Sequence, residues 1–157
     1  MMRKFINGDL EAVVAIFRSN IPKYFSPAEE AGLRDFLANC SDYYVAEKDA
    51  VIIAAGGIAK NSDDTVSLCW GMVRNDLIGT GVGKKLTEFR IALSSKKFGD
   101  LPLTICTSQH TKGFYESLGF RVTEQIVDGF GPGIDNCKMR LEPINFPDLR
   151  VQEEYPV

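Results

Sequence analysis

The stretch Met72-Val73-Arg74-Asn75-Asp76-Leu77-Ile78-Gly79-Thr80-Gly81-Val82-Gly83-Lys84-Lys85-Leu86 passes from a strand through a glycine-rich turn straight into a helix. Its two flanks differ in period. From Thr65 to Val73, Val66, Leu68, Trp70 and Met72 alternate with Ser67, Cys69, Gly71 and Val73; both sets are mostly apolar or small, which predicts a central strand. Beyond the turn, Val82, Leu86, Phe89 and Leu93 recur at helical spacing, and this helix is expected to end near Phe98-Gly99. Such a turn suits an anion: the first helical turn has unpaired N–H groups and a partial positive charge, glycines allow close approach, and Lys84 and Lys85 add full charges. A tight connection without a ligand would use the same residues.

Working outward, the N-terminal side predicts a short strand from Met2 to Ile6, a turn at Asn7-Gly8-Asp9, and a helix whose buried face is Leu10, Val13, Val14 and Phe17. Pro22 ends that helix. Ser26-Pro27-Ala28-Glu29 opens a second one with Ser26 as N-cap and Glu29 as the return half of a capping box, and Leu33, Phe36 and Leu37 form its stripe. Tyr43 to Glu47 and Val51 to Ala59 read as strands, with Gly56 and Gly57 permitting a bulge or a close backbone approach. On the C-terminal side follow a strand from Leu103 to Thr107, a short helix from Thr111 to Leu118 closed by Gly119, and a strand from Phe120 to Val127. Asp128 to Gly133 reads as a loop and Asn136 to Glu142 as a last strand. This order is a mixed α/β chain, with one domain over residues 1–142 and an irregular tail over 143–157.

Composition narrows the function. The 157 residues are 45% hydrophobic and 25% charged, ordinary for one globular domain. A formal net charge of -3 leaves no general footprint for nucleic acid, although a local basic pocket fits. No run nears the roughly 18 apolar residues of a spanning helix, so no membrane association is expected. Cys40, Cys69, Cys106 and Cys137 form no CxxC pair and read as buried, reduced thiols; with His110 the sole histidine, no metal site is expected and the cytoplasm is the expected compartment.

Two nucleotide fingerprints fail on spacing. A dinucleotide loop needs G-x-G-x-x-G, but the third glycine, Gly83, comes one residue early; a Walker A loop needs Gly-Lys followed by Ser or Thr, and Gly83-Lys84 is followed by Lys85. The segment does resemble the acetyl-CoA pyrophosphate loop of the GCN5-related N-acetyltransferase family: Gly81 and Gly83 match its signature, while Ile78 stands where the family has Gln or Arg. A second stretch, Thr107 to Phe120, is similar to the family's later motif ending in Phe-Tyr-Glu-x-Leu-Gly-Phe, with Ser108 where many members carry Asn.

The resemblance implies a mixed, mostly antiparallel central sheet flanked by helices, and direct transfer of an acetyl group from acetyl-CoA to a small-molecule or peptide amine. By the same likeness, Gly71, Met72 and Val73 would bond to the pantetheine arm along a splay between two strands, and Gly79, Thr80, Gly81, Val82, Gly83 and Lys84 would hold the pyrophosphate, with Ser108 near the arm. Tyr115 matches the family's general acid for the departing thiolate. The acceptor pocket would be built around Tyr24, Phe25 and Phe130, aromatics equally suited to the core or to the contact of a homodimer. The base stays open among Glu29, Glu30, Glu47, Tyr24 and a water chain. A competing reading is a non-catalytic acyl-CoA-binding sensor of the same fold, which Ile78 and Ser108 favour and Tyr115 opposes.

Overall fold

The computed structural model describes residues 1–148. Its elements are β1 (Met2–Lys4), α1 (Leu10–Ser19), α2 (Glu30–Asn39), β2 (Tyr43–Lys48), β3 (Val51–Lys60), β4 (Val66–Val73), α3 (Val82–Phe98), β5 (Leu103–Thr107), α4 (Lys112–Ser117), β6 (Arg121–Gly131) and β7 (Ile134–Leu141). The strands form one sheet in the order β1-β2-β3-β4-β5-β7-β6. Every neighbouring pair is antiparallel except β4 and β5, which run parallel and stay in register only at Val66–Leu103 and Ser67–Thr104. Past those pairs the ladder ends and the two strands part, so that residues of both line one cavity.

The two faces of the sheet are covered differently. On one, Val13, Val14, Phe17, Leu33 and Leu37 of α1 and α2 pack on Tyr43, Val45, Ala55 and Met72. On the other, Phe89, Ile91 and Leu93 of α3 pack with Tyr115 and Phe120 on Val66, Leu68, Ile105 and Met139. The capping box forms as its residues predict: the Ala28 N–H donates to Ser26 Oγ at 3.4 Å and the Ser26 N–H to Glu29 Oε2 at 2.8 Å, and a short 3-10 turn over Pro27–Glu29 leads into α2.

Strict alternation along β4 fails at its centre. Val66 and Leu68 face α3, but Trp70 and Met72 face α1 and α2, because Trp70 takes a φ of 44° and the register against β3 slips between Ala55 and Gly57. A bulge turns every later side chain to the opposite face. The expected loop from Asp128 to Gly133 is also corrected: β6 continues to Gly131, leaving only Pro132 and Gly133 to turn. Asp128 makes this possible. Its carboxylate accepts the Gly133 N–H at 2.8 Å and its own N–H donates to Asp135 at 3.0 Å, so side chains bridge an irregular part of the hairpin. Among the four free thiols only Cys137 is buried; Cys106 is exposed and Cys40 and Cys69 are half-buried, which corrects the expectation of four buried thiols. Of the tail, Phe146 packs on the α3 face; its residues from Leu149 onward, Pro156 included, lie outside the described residues.

Asp9 ties the N-terminal edge together. Arg3 donates to both of its carboxylate oxygens, at 2.8 and 2.9 Å, and the Ile6 N–H adds a third bond at 3.0 Å. Arg3 holds the Asp9 carboxyl below its ordinary range. A folded value below the unfolded one adds stability that is present above about pH 4 and is lost as pH falls further. Asp9→Asn is therefore expected to cost about 2 kcal/mol at neutral pH and less at pH 3, which urea denaturation at the two pH values measures; an equal loss at both would contradict the ion pair as its cause.

Candidate active site

One cavity of about 700 Å³ opens along the line where β4 and β5 part, running from the start of α3 to the linker before α2. Its walls come from elements fixed for other reasons. Asn20, 3% exposed at the end of α1, donates to the Val73 carbonyl at 2.9 Å and to the Ile16 carbonyl at 3.0 Å, and so pins α1 to the end of β4. Tyr43 donates its hydroxyl to the Trp70 carbonyl at 2.9 Å and holds the bulge in place.

At one end lies the glycine turn. Gly81 caps α3 with a φ of 93°, a left-handed conformation that a side chain would strain, and a Cβ there would meet nothing within 4 Å. The first turn of α3 contains no acidic residue, while Lys84 and Lys85 stand beside it. Gly79, Gly81, Gly83 and Lys84 line the cavity, as do Gly71, Met72 and Val73 of β4. Thr80 and Val82 do not: Thr80 Oγ1 donates to the Leu77 carbonyl at 2.5 Å, and Val82 packs against a small cluster around Leu86. Ile78 lines the cavity with 42% of its surface exposed, so no side-chain amide or guanidinium comes from that position.

In the middle stands Tyr115, only 6% exposed, with Phe114 and Phe120 edge-on at ring distances of 4.9 and 5.5 Å. Ser108 is buried nearby and its Oγ accepts the His110 N–H at 3.2 Å, so this hydroxyl also shapes the turn into α4. The far end holds Tyr24, Phe25, Glu29, His110 and Phe130. Phe25 packs in the α1–α2 core between Phe17 and Trp70, while Tyr24 meets His110 edge-on at 6.2 Å. Phe130 is placed here by Gln109, a residue with no sequence signal beyond its position beside Ser108: its amide donates to the Gly133 carbonyl at 2.9 Å and accepts the Asp135 N–H at 2.8 Å.

The carboxylates separate clearly. Glu29 lines the cavity, and burial raises its carboxyl above the ordinary value, an effect the Ser26 N–H only partly offsets. Glu30 is instead paired with Arg18 and Arg34, and Glu47 with Arg3 on the far edge of the sheet. The cavity thiols, Cys69 and Cys106, are both raised, Cys69 by burial to about 11 and Cys106, although its surface is exposed, by partial desolvation of the thiol, which is the wrong direction for a nucleophile. Among the described residues no group of three His, Cys, Asp or Glu could hold a metal ion, and no helix is long and apolar enough to cross a membrane.

The family model of the acetyltransferase (GNAT) domain matches residues 15–143. No curated protein sequence matches significantly. Solved structures do. Ard1 from Thermoplasma volcanium superposes with a TM-score of 0.74 at 17% identity, over 89% of this chain and 95% of that one. An aminoglycoside 6'-N-acetyltransferase complexed with coenzyme A gives 0.73 at 12% identity, over 94% and 99%. The yncA protein from Salmonella typhimurium with its cofactor acetyl-CoA gives 0.68 at 19% identity, over 91% and 93%.

Proposed function

Since the chain belongs to the acetyltransferase (GNAT) domain family, we propose that it is an N-acetyltransferase, moving the acetyl group of acetyl-CoA directly to an amine. The observation that carries this reading is the single cavity that joins an anion-ready helix start, a buried tyrosine and a desolvated carboxylate.

The cosubstrate fits the residues present. The open side of Gly79 and Gly81 and the acid-free first turn of α3 offer backbone N–H groups and the Lys84 charge to a pyrophosphate. Along β4, Gly71, Met72 and Val73 have lost β5 as a neighbour and can bond to an amide-rich arm as a strand would, and a backbone N–H there can stabilise charge developing on the thioester oxygen.

The residues then divide the proton traffic. Glu29 accepts a proton from the ammonium form of the acceptor, since an alkylamine with a pKa of about 10.4 is nearly all protonated at neutral pH. The freed nitrogen attacks the thioester carbon, the C–S bond breaks, Tyr115 gives its hydroxyl proton to the leaving sulfur, and the acylated nitrogen gives up its second proton to solvent to leave a neutral amide; solvent then reprotonates Tyr115 and deprotonates Glu29. Tyr24, Phe25 and Phe130 wall the acceptor end. The sensor reading draws on Ile78 and on Ser108, whose hydroxyl is engaged in its own turn; Tyr115 and Glu29 on one cavity weigh against it.

Glu29→Gln is the test of the base. As pH falls through its raised pKa, Glu29 gains a proton and can no longer accept one, so kcat/KM should fall on an acid limb above the usual carboxylate value of about 4.3. The variant should lose that limb and about 10²-fold in kcat/KM. A wild-type acid limb in the variant would exclude Glu29.

A further inference from the structure

Midway along α3, Arg90 lies 1% exposed against the sheet, and its Nε and Nη1 have no hydrogen-bond partner among the described residues. Its place is built for it. A Cβ added at Gly71 would stand 2.5 Å from Nη2, and one at Gly56 would stand 3.2 Å from Nε, so glycines on two adjacent strands leave the room that the guanidinium fills. A buried cation with unused donors weakens a fold unless something accepts from it. The same side chain lines the cavity where β4 and β5 part, among Cys69, Gly71, Thr87, Thr104 and Cys106.

We infer that Arg90 is a carboxylate-binding residue, and that one substrate of this enzyme carries a carboxylate that reaches the floor of the cavity. A guanidinium offers donors in a planar fork that matches a planar carboxylate, and among the described residues no acceptor satisfies its Nε and Nη1. The inference rests on the proposed use of the cavity for an acyl-CoA donor. Gly71, which would flank the thioester, is the residue pressed against the guanidinium, so the free end of a dicarboxylic acyl group is the nearer source. The carboxylate of an amino-acid acceptor is the same chemistry from the other substrate.

Calorimetry on the full chain separates these sources. One arm compares succinyl-CoA with acetyl-CoA and coenzyme A; the other compares phenylalanine with phenethylamine in the presence of coenzyme A. The expected result is binding at least about 30-fold tighter for the carboxylate member of one pair, with that ratio falling to near one in Arg90→Met and partly kept in Arg90→Lys. The arm in which it appears names the source. Ratios within threefold in both arms for the wild-type protein overturn the inference, as does a preference that survives in Arg90→Met. A merely structural arginine would instead lower the melting temperature on replacement by Met without moving either ratio. If coenzyme A itself does not bind, the donor reading fails first and the inference falls with it.

Discussion

Tyr115→Phe is expected to lower kcat about 10²-fold or more while leaving the affinity for acetyl-CoA nearly unchanged. The substitution removes one oxygen and little else. The ring is held by Phe114, Phe120 and the α3-side core, all of which a phenylalanine ring would still touch, so neither the fold nor the cavity should move. What is lost is the proton for the sulfur. A thiolate then has to leave unprotonated or wait for water, and the penalty falls on the transition state rather than on binding. Steady-state kinetics with independent calorimetry reads the two effects apart. An unchanged kcat would reduce Tyr115 to a packing residue, and a parallel loss of affinity would point to a distorted cavity.

Gly83→Asp carries the second large effect, this time on binding. A Cβ at Gly83 would meet Val73 Cγ2 at 3.5 Å and Phe114 Cζ at 3.6 Å, ordinary contacts that the fold accommodates. An aspartate in the first turn also complements the helix dipole, so stability should hold or rise slightly. Beside a pyrophosphate it does the opposite. Two like charges about 4 Å apart repel by about 4 kcal/mol at a surface-like dielectric, and even half of that, after screening, multiplies to more than about 10²-fold when two phosphate charges are counted. Gly83→Asn has the same size without the charge and should keep most of the affinity. Equal losses in the two variants would make the effect steric, and no loss in either would mean that the phosphates bind elsewhere. Gly81 is a poorer choice because its positive φ would mix backbone strain with charge.

The parts of this site visible in sequence are those where one local segment does one job. The strand–turn–helix around Gly81, the capping box at Ser26 and the short helix closed by Gly119 each appear in the structure within a residue or two of their expected bounds. Helix α3 is different. Its apolar stripe holds, yet Phe89 to Ser94 are all buried, since the helix is sunk between the sheet and its neighbours; Arg90, four residues after Leu86 and beside that stripe, therefore lies inside. Gly56 is expected to permit a bulge or a close backbone approach and Gly71 to face the pantetheine arm, whereas both lie against a side chain. That the approaching group is Arg90 depends on two strands and a helix meeting, which no local pattern encodes.

Two other features stayed hidden for physical reasons of their own. Trp70 in a left-handed conformation leaves no trace in residue type, because tertiary contacts and the Tyr43 hydrogen bond hold it there against local preference. The glycines from Asp128 to Gly133 imitate a loop, while Asp128, Asp135 and Gln109 supply the bonds that make it the end of a hairpin. Glu29 and Glu30 differ through tertiary contacts: Arg18 of α1 and Arg34 of α2 both pair with Glu30 and not with Glu29.

The most direct test of the central claim is release of free coenzyme A thiol from acetyl-CoA by the purified protein, measured with and without a pooled library of amines. Thiol release that depends on added amine, with acetylated amine formed in equal amount, is the predicted result. Tight acetyl-CoA binding with no release across the whole pool would contradict transfer chemistry and leave an acyl-CoA sensor in its place.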